Sequence, residues 1–249
     1  MNIGIYNSAT TLSSLERWQD ATSQNIAAGN VPGYKGNQMS FESIHAGMVG
    51  LTQGSRSIQS PNMMAVSDSR FNFAAGQLQQ TEVPTHVAIN GEGFFKIEGE
   101  GFDYFTRDGE FHINAENQLV NKNGHRVLGP NGPITINPQL GEVSISARGE
   151  VFQGAVQSGR IAVVDTAQKD ALVRMTGGFR FDPLRTDAVM QDVEDANVIQ
   201  GSLEGSNINP LKEMVNLISI SRAFEVNHKV IQSLDEIQAK TIEVMGATT

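Results

Sequence analysis

Five carboxylates, Glu98, Glu100, Asp103, Asp108 and Glu110, fall within one short stretch, the raw material for glycoside hydrolysis or calcium ligation. Either chemistry needs carboxylates held at a fixed separation. Here the residues sit in turns beside short strands, where charged side chains ordinarily face water. The histidines, His45, His86, His112, His125 and His228, are scattered and lack the spacing of a metal-binding helix. His112 and His125 can approach across a hairpin, as a solvated surface pair. Gly91-Glu92-Gly93 resembles the opening of a phosphate-binding loop, but no third glycine, lysine or helix follows, and Phe94 and Phe95 continue as a strand. No G-x-S-x-G nucleophile elbow is present. The absence of cysteine removes thiolate catalysis, disulfides and zinc–thiolate sites together. The residues therefore yield no catalytic, metal or cofactor assignment, and the chain reads as a non-enzyme. The competing reading is a secreted carbohydrate-active β protein built on the acidic cluster; a cytoplasmic coiled-coil adaptor is a further alternative.

The elements around these residues are of two kinds. Between Val83 and Phe181 short strands alternate with the turn signals Asn90-Gly91, Asp108-Gly109, Asn123-Gly124 and Pro130-Asn131-Gly132-Pro133. This punctuation predicts an antiparallel sandwich or open barrel. Both ends of the chain instead carry helical periodicity. From Pro210 to Met245 one column holds Ala223, Val230, Ile237 and Val244 and the next holds Leu217, Phe224, Ile231 and Met245, with Ile220 and Leu234 in complementary places. Asn209 can cap this helix and Pro210 suits its first position; at 1.5 Å per residue it would run for about 54 Å. Asn227 interrupts the seam, where it can either set register or stand as an ordinary solvent-facing asparagine. Near the N-terminus Ile5, Ala9, Leu12, Leu15, Trp18, Thr22 and Ile26 share one face, and Gly29, Asn30, Pro32 and Gly33 end the helix.

The predicted fold is mixed α and β: N- and C-terminal helices pair as a coiled-coil-like domain around a central, mostly antiparallel β domain. Residues 1–30 with 207–249 form the helical assembly domain, 76–206 the β domain, and 31–75 an extended, flexible connection carrying isolated apolar residues such as Phe41, Ile44, Leu51 and Ile58. A net charge of −9 argues against nucleic acid. No apolar run is long enough to insert in a membrane. Met1 to Ala28 lacks the basic start and continuous apolar block of a cleaved signal peptide. Striped end helices with no neighbour in sequence point to assembly.

Three stretches carry a family resemblance. Ser23-Gln24-Asn25-Ile26-Ala27-Ala28 followed by Val31-Pro32-Gly33-Tyr34-Lys35 resembles the N-terminal signature of the bacterial flagellar rod and hook family, with Ala28 where Asn is usual and Val31 where Thr is usual. Gly91, Gly93-Phe94-Phe95 and Tyr104-Phe105-Thr106-Arg107 are similar to its central part, and Leu203-Glu204-Gly205-Ser206-Asn207 to its C-terminal part. The resemblance implies a structural subunit of the flagellar basal-body rod that transmits torque across the periplasm. It implies other rod and hook-basal body subunits and copies of itself as partners, and signal-independent export by the flagellar type III apparatus. Chain length and the small β domain suit a rod protein, proximal before distal. The implied assembly interface is Leu12, Leu15, Trp18 and Ile26 with Leu217, Ile220, Phe224, Ile231, Leu234 and Ile237. The signature residues are Asn25, Ile26, Pro32, Gly33, Tyr34, Lys35, Gly91, Gly93, Phe94, Ser206 and Asn207.

Overall fold

The computed structural model describes residues 3–45, 62–185, 188–193 and 195–246. The chain divides into two units, one of Met1–Ala27, Asn37–Phe71 and Asn209–Thr249, the other of Ala28–Gly36 and Asn72–Ile208.

The first unit holds helix α1, Ile3–Ala27, and helix α2, Pro210–Gly246. The start of α2 is capped as its sequence dictates: Asn209 Oδ1 accepts the N–H groups of Leu211 at 3.1 Å and Lys212 at 3.3 Å, while Pro210 needs no donor of its own. α1 packs against α2 and against an antiparallel hairpin of strands Asn37–His45 and Asn62–Phe71. The hairpin register runs from Asn37 opposite Phe71 to His45 opposite Asn62, with a bulge at Ser40/Phe41. Trp18 meets Phe41 edge-on, ring centres 5.2 Å apart. Leu51 and Ile58 lie outside the described residues, as do the side chains of Ile44, Val244 and Met245.

The buried face of α1 overlaps the expected stripe only in part, sharing Leu15 and Thr22 with it. Ala9 is exposed and Leu12 and Ile26 are half-buried, whereas Ser8, Ser14, Leu15, Ala21, Thr22 and Asn25 are buried. Small side chains permit close packing, and a hydroxyl can hide its polarity on its own helix. Ser14 Oγ donates to the carbonyl of Thr10 at 3.0 Å, so its burial leaves no orphan donor.

The described strands of the second unit pair antiparallel. Its largest sheet orders strands Leu172–Met175, Gly178–Phe181, Asp103–Thr106, Phe94–Glu98, Val163–Asp165 and Gln191–Asp192. A three-stranded sheet of Val143–Ile145, Glu150–Gln153 and Val156–Arg160 lies beside shorter pairs, among them Val87–Ile89 with Val198–Gln200 and Leu78–Gln80 with Ser202–Glu204. Strand alternation sends Phe95 and Ile97 into a core with Val87, Tyr104, Leu119 and Val127. Phe94 points the other way, into edge-on contacts with Phe73 at 5.5 Å and Phe179 at 6.1 Å. Among the described residues no helix is long and apolar enough to cross a membrane.

Candidate functional site

The carboxylates that opened the chemical question are dispersed by the fold. Glu98 pairs with Arg126 at 2.8 Å, Asp103 with Lys96 at 2.9 Å and Asp108 with Lys122 at 2.7 Å, and Glu100 faces solvent. His112 and His125 do not meet as a surface pair: His112 stands opposite Val120, and His125 Nδ1 lies 2.9 Å from the Tyr104 hydroxyl.

The chemistry that the fold does concentrate lies on the signature residues. In the helical unit, Asn25 at the end of α1 imitates a strand partner. Its Nδ2 donates to the carbonyl of Asn37 at 2.9 Å, and its Oδ1 accepts the Asn37 N–H at 3.0 Å, fixing where the hairpin starts relative to the helix.

In the β unit, the turn after α1 is pulled onto the C-terminal signature. Gly33 adopts a positive φ of 67°, and its N–H donates to the carbonyl of Glu204 at 2.7 Å. A Cβ at Gly33 would overlap the Arg107–Asp108 peptide, so glycine is required both for the angle and for the approach. Lys35 Nζ then donates to Glu204 Oε1 at 2.6 Å and to the carbonyl of Ala74 at 2.8 Å. Oε1 also accepts the Gly76 N–H at 2.7 Å, and Oε2 accepts from Arg107 at 3.1 Å. The side chains of Lys35 and Glu204 are each 1% exposed and that of Arg107 4%. One buried carboxylate thus faces two buried cations. Burial lowers the Lys35 pKa, the bond to Glu204 opposes the shift, and the charges of Arg107 and Lys169 add to it.

Asn207 extends this knot. Its Oδ1 accepts the Gly36 N–H at 2.8 Å, and its Nδ2 donates to the carbonyls of Asn72 at 2.7 Å and Ala74 at 3.0 Å. Ser206 contributes locally, its hydroxyl accepting the Ile208 N–H at 3.2 Å. The Tyr34 ring lies under the Arg174 guanidinium, 4.1 Å from its centre, and Arg174 donates to the Lys35 carbonyl. Burial also lowers the Arg174 pKa.

Gly91 and Phe94 reach the knot through Arg107, which donates to the Gly91 carbonyl at 2.7 Å and lies 5.5 Å from the Phe94 ring centre. Together with Phe73, Gly93 and Lys169 they line a cavity of about 430 Å³. Pro32 is half-buried at the turn, and Ile26 is half-buried on α1.

Of the residues expected at an assembly interface, Leu15 and Ile220 are buried within the helical unit, at 5% and 0% exposure. Leu12, Trp18, Leu217, Phe224, Ile231 and Leu234 are half-buried, and Ile237 is exposed. Sequence reasoning overlooked Glu204, Arg107 and Arg174 as site residues. The first two stood inside the recognised motifs, but a charged residue next to a glycine turn reads as surface; for Arg174 the sequence offers no signal.

The molecule is thus a helical unit gathered from both chain ends and a β unit whose remote segments meet at a buried charged knot. The model of the flagellar hook protein FlgE/F/G D1 domain matches residues 88–153, and that of the flagellar basal body rod FlgEFG protein C-terminal region matches 199–244. The chain is 34% identical to the flagellar basal-body rod protein FlgF of Caulobacter vibrioides, with 99% of each chain covered. It is 26% identical to FlgF of Salmonella typhimurium, again over 99% of both. It is 28% identical to the rod protein FlgG of Agrobacterium fabrum over 92% of this chain and 94% of the relative. The chain belongs to the FlgF family of flagellar basal-body rod proteins and is a structural rod subunit.

Proposed function

We propose that this subunit builds the proximal rod by docking its terminal helices, α1 and α2 paired in coiled-coil fashion, onto copies of itself and other rod and hook-basal body subunits. The assembled rod carries torque across the periplasm. The subunit reaches it through the flagellar type III export apparatus, without a cleaved signal, and performs no catalysis. The proposed domains follow function: 1–30 with 207–249 for assembly, 76–206 as the β domain, and 31–75 as the stretch that connects them, of which Asn37–Phe71 groups with the helices.

The observation that carries this reading is the division of apolar surface on α2. Ile220 faces inward, while Leu211, Val215 and Ile218 are 75%, 62% and 55% exposed. An apolar row of this kind in water marks an interaction surface. The groove beside Leu12, Glu16, Phe224, Glu225 and His228 offers an apolar floor with an acidic rim, and exposed Lys212 and Arg222 lie beside and at the end of the exposed row with the opposite charge. A groove and an exposed row at different levels of α2 can make heterologous contacts, which propagate along an axis where they do not close. Leu15 and Ile220 hold the helix pair together, and Ile237 joins the outward surface.

Val215→Asp or Ile218→Asp tests this in cells lacking the native copy. The expected result is a folded, exported subunit, absent from purified basal bodies, in non-motile cells. Motile cells with the variant recovered in basal bodies at the wild-type level would overturn the reading.

A further inference from the structure

The knot gathers segments that are remote in sequence. Lys35 and Glu204 are 169 residues apart, Gly76 and Glu204 128, Arg107 and Glu204 97, and Gly36 and Asn207 171. None of the residues 28–36, 72–76 or 202–207 belongs to the apolar core cluster of the β unit. Phe73 is the aromatic anchor of the second segment, through Phe94 and Phe179. Residues 202–204 are held by their strand pairing with Leu78–Gln80, and Tyr34 by Arg174. The remaining ties among the three segments are polar and converge on the carboxylate and carbonyl of Glu204 and on the amide of Asn207.

We infer that Glu204 is a latch: residues 33–36 and 72–76 take up their native path only when 202–207 have docked, and the three segments open and close as one cooperative element while the β core stays folded. The electrostatics give the latch its all-or-none character. With Glu204 in place, Lys35 and Arg107 share a counter-charge. With it withdrawn, two buried cations lose their shared counter-charge, and each raises the cost of keeping the other. Asn207 leaves with Glu204, since only Gly205 and Ser206 separate them, and takes away the acceptor of the Gly36 N–H and the donor to Asn72. Opening at one point therefore releases the rest. The segments also adjoin the positions where the chain passes from one unit to the other, Ala27/Ala28, Gly36/Asn37, Phe71/Asn72 and Ile208/Asn209. A closed latch fixes where three of these four crossings leave the β unit.

Hydrogen exchange on the full chain tests the inference. In the wild type the amides of Gly33, Gly36, Gly76 and Asn207 are expected to exchange through one shared opening, faster than those of Phe95, Leu119 and Val127. In Glu204→Gln the first group is expected to lose protection by about tenfold or more while the second keeps it. In a Glu204→Gln chain that folds, two results would overturn the latch: unchanged protection of the first group, or an equal loss of protection in both groups. The wild-type measurement stands even where the variant does not fold. There, unrelated opening rates among the four amides would overturn the inference by themselves.

Discussion

A buried lysine is the most informative single residue, because its energetics run against its own ionic bond. Desolvation holds the Lys35 pKa below the ordinary lysine value despite Glu204 at 2.6 Å. Between that lowered value and the ordinary one the unfolded chain binds more protons than the folded chain, so this residue makes stability rise with pH through the window. Urea unfolding from about pH 7 to about pH 10 is expected to show a slope that Lys35→Met reduces. An unchanged slope would place the titration elsewhere. Lys35→Met is also expected to cost less than Glu204→Gln, since Glu204 keeps Arg107 and the Gly76 N–H, whereas removing the carboxylate strands two cations at about 3–5 kcal/mol. Gly33→Ala is a steric counterpart: the positive φ and the overlap with the Arg107–Asp108 peptide are expected to lower the melting temperature markedly, as scanning calorimetry would show. The motif residues were legible in the sequence as a set. Their meeting was not, because ion pairs across 169 residues leave no local trace.

At the scale of elements, the legible features were those set by local chemistry. The Asn209 cap, the turns and the antiparallel strands follow from short-range rules, and the structure contains them. The burial of α1 escaped that logic, because hydrophobic periodicity weights large side chains while this helix buries serine, threonine and asparagine. Asn227, in the apolar seam, is half-buried, and its amide donates to the Ala223 carbonyl of its own helix at 3.0 Å. The two sides of α2 should respond differently to truncation. Ile220→Ala, at a fully buried position, is expected to destabilise the helical unit by about 2–5 kcal/mol. Ile237→Ala, 58% exposed, is expected to change it by about 0.5 kcal/mol or less. Far-UV circular dichroism melts of the monomer would separate the two, and equal effects would refute the assignment of the inward face.

For the whole molecule, the division into units is written in hydrogen bonds between residues that the sequence keeps apart. The hairpin of Asn37–His45 and Asn62–Phe71 groups with the helices, since α1 packs on it and Asn25 binds its first residue. A pattern of isolated apolar residues could not show this, because their partners lie on another element. Excision follows from the same geometry. The Gly36 carbonyl accepts the Asn72 N–H at 2.8 Å, so the two ends left by removing residues 37–71 are already neighbours. A chain of residues 28–36 joined through a short glycine linker to 72–208 retains the apolar core, Arg107, and the Lys35, Glu204 and Asn207 contacts. It is expected to fold without the terminal helices, with a cooperative melt and backbone amide spectra that overlay those of the same residues in the full chain. Loss of the spectral match only around Gly33, Gly36 and Gly76 would mean that the core folds alone while the knot needs the helical unit. Collapse of the whole spectrum would make the β unit itself dependent on it. The first outcome follows if burial of Val87, Phe95, Leu119 and Val127 supplies the stability and the buried charges supply the path of the chain.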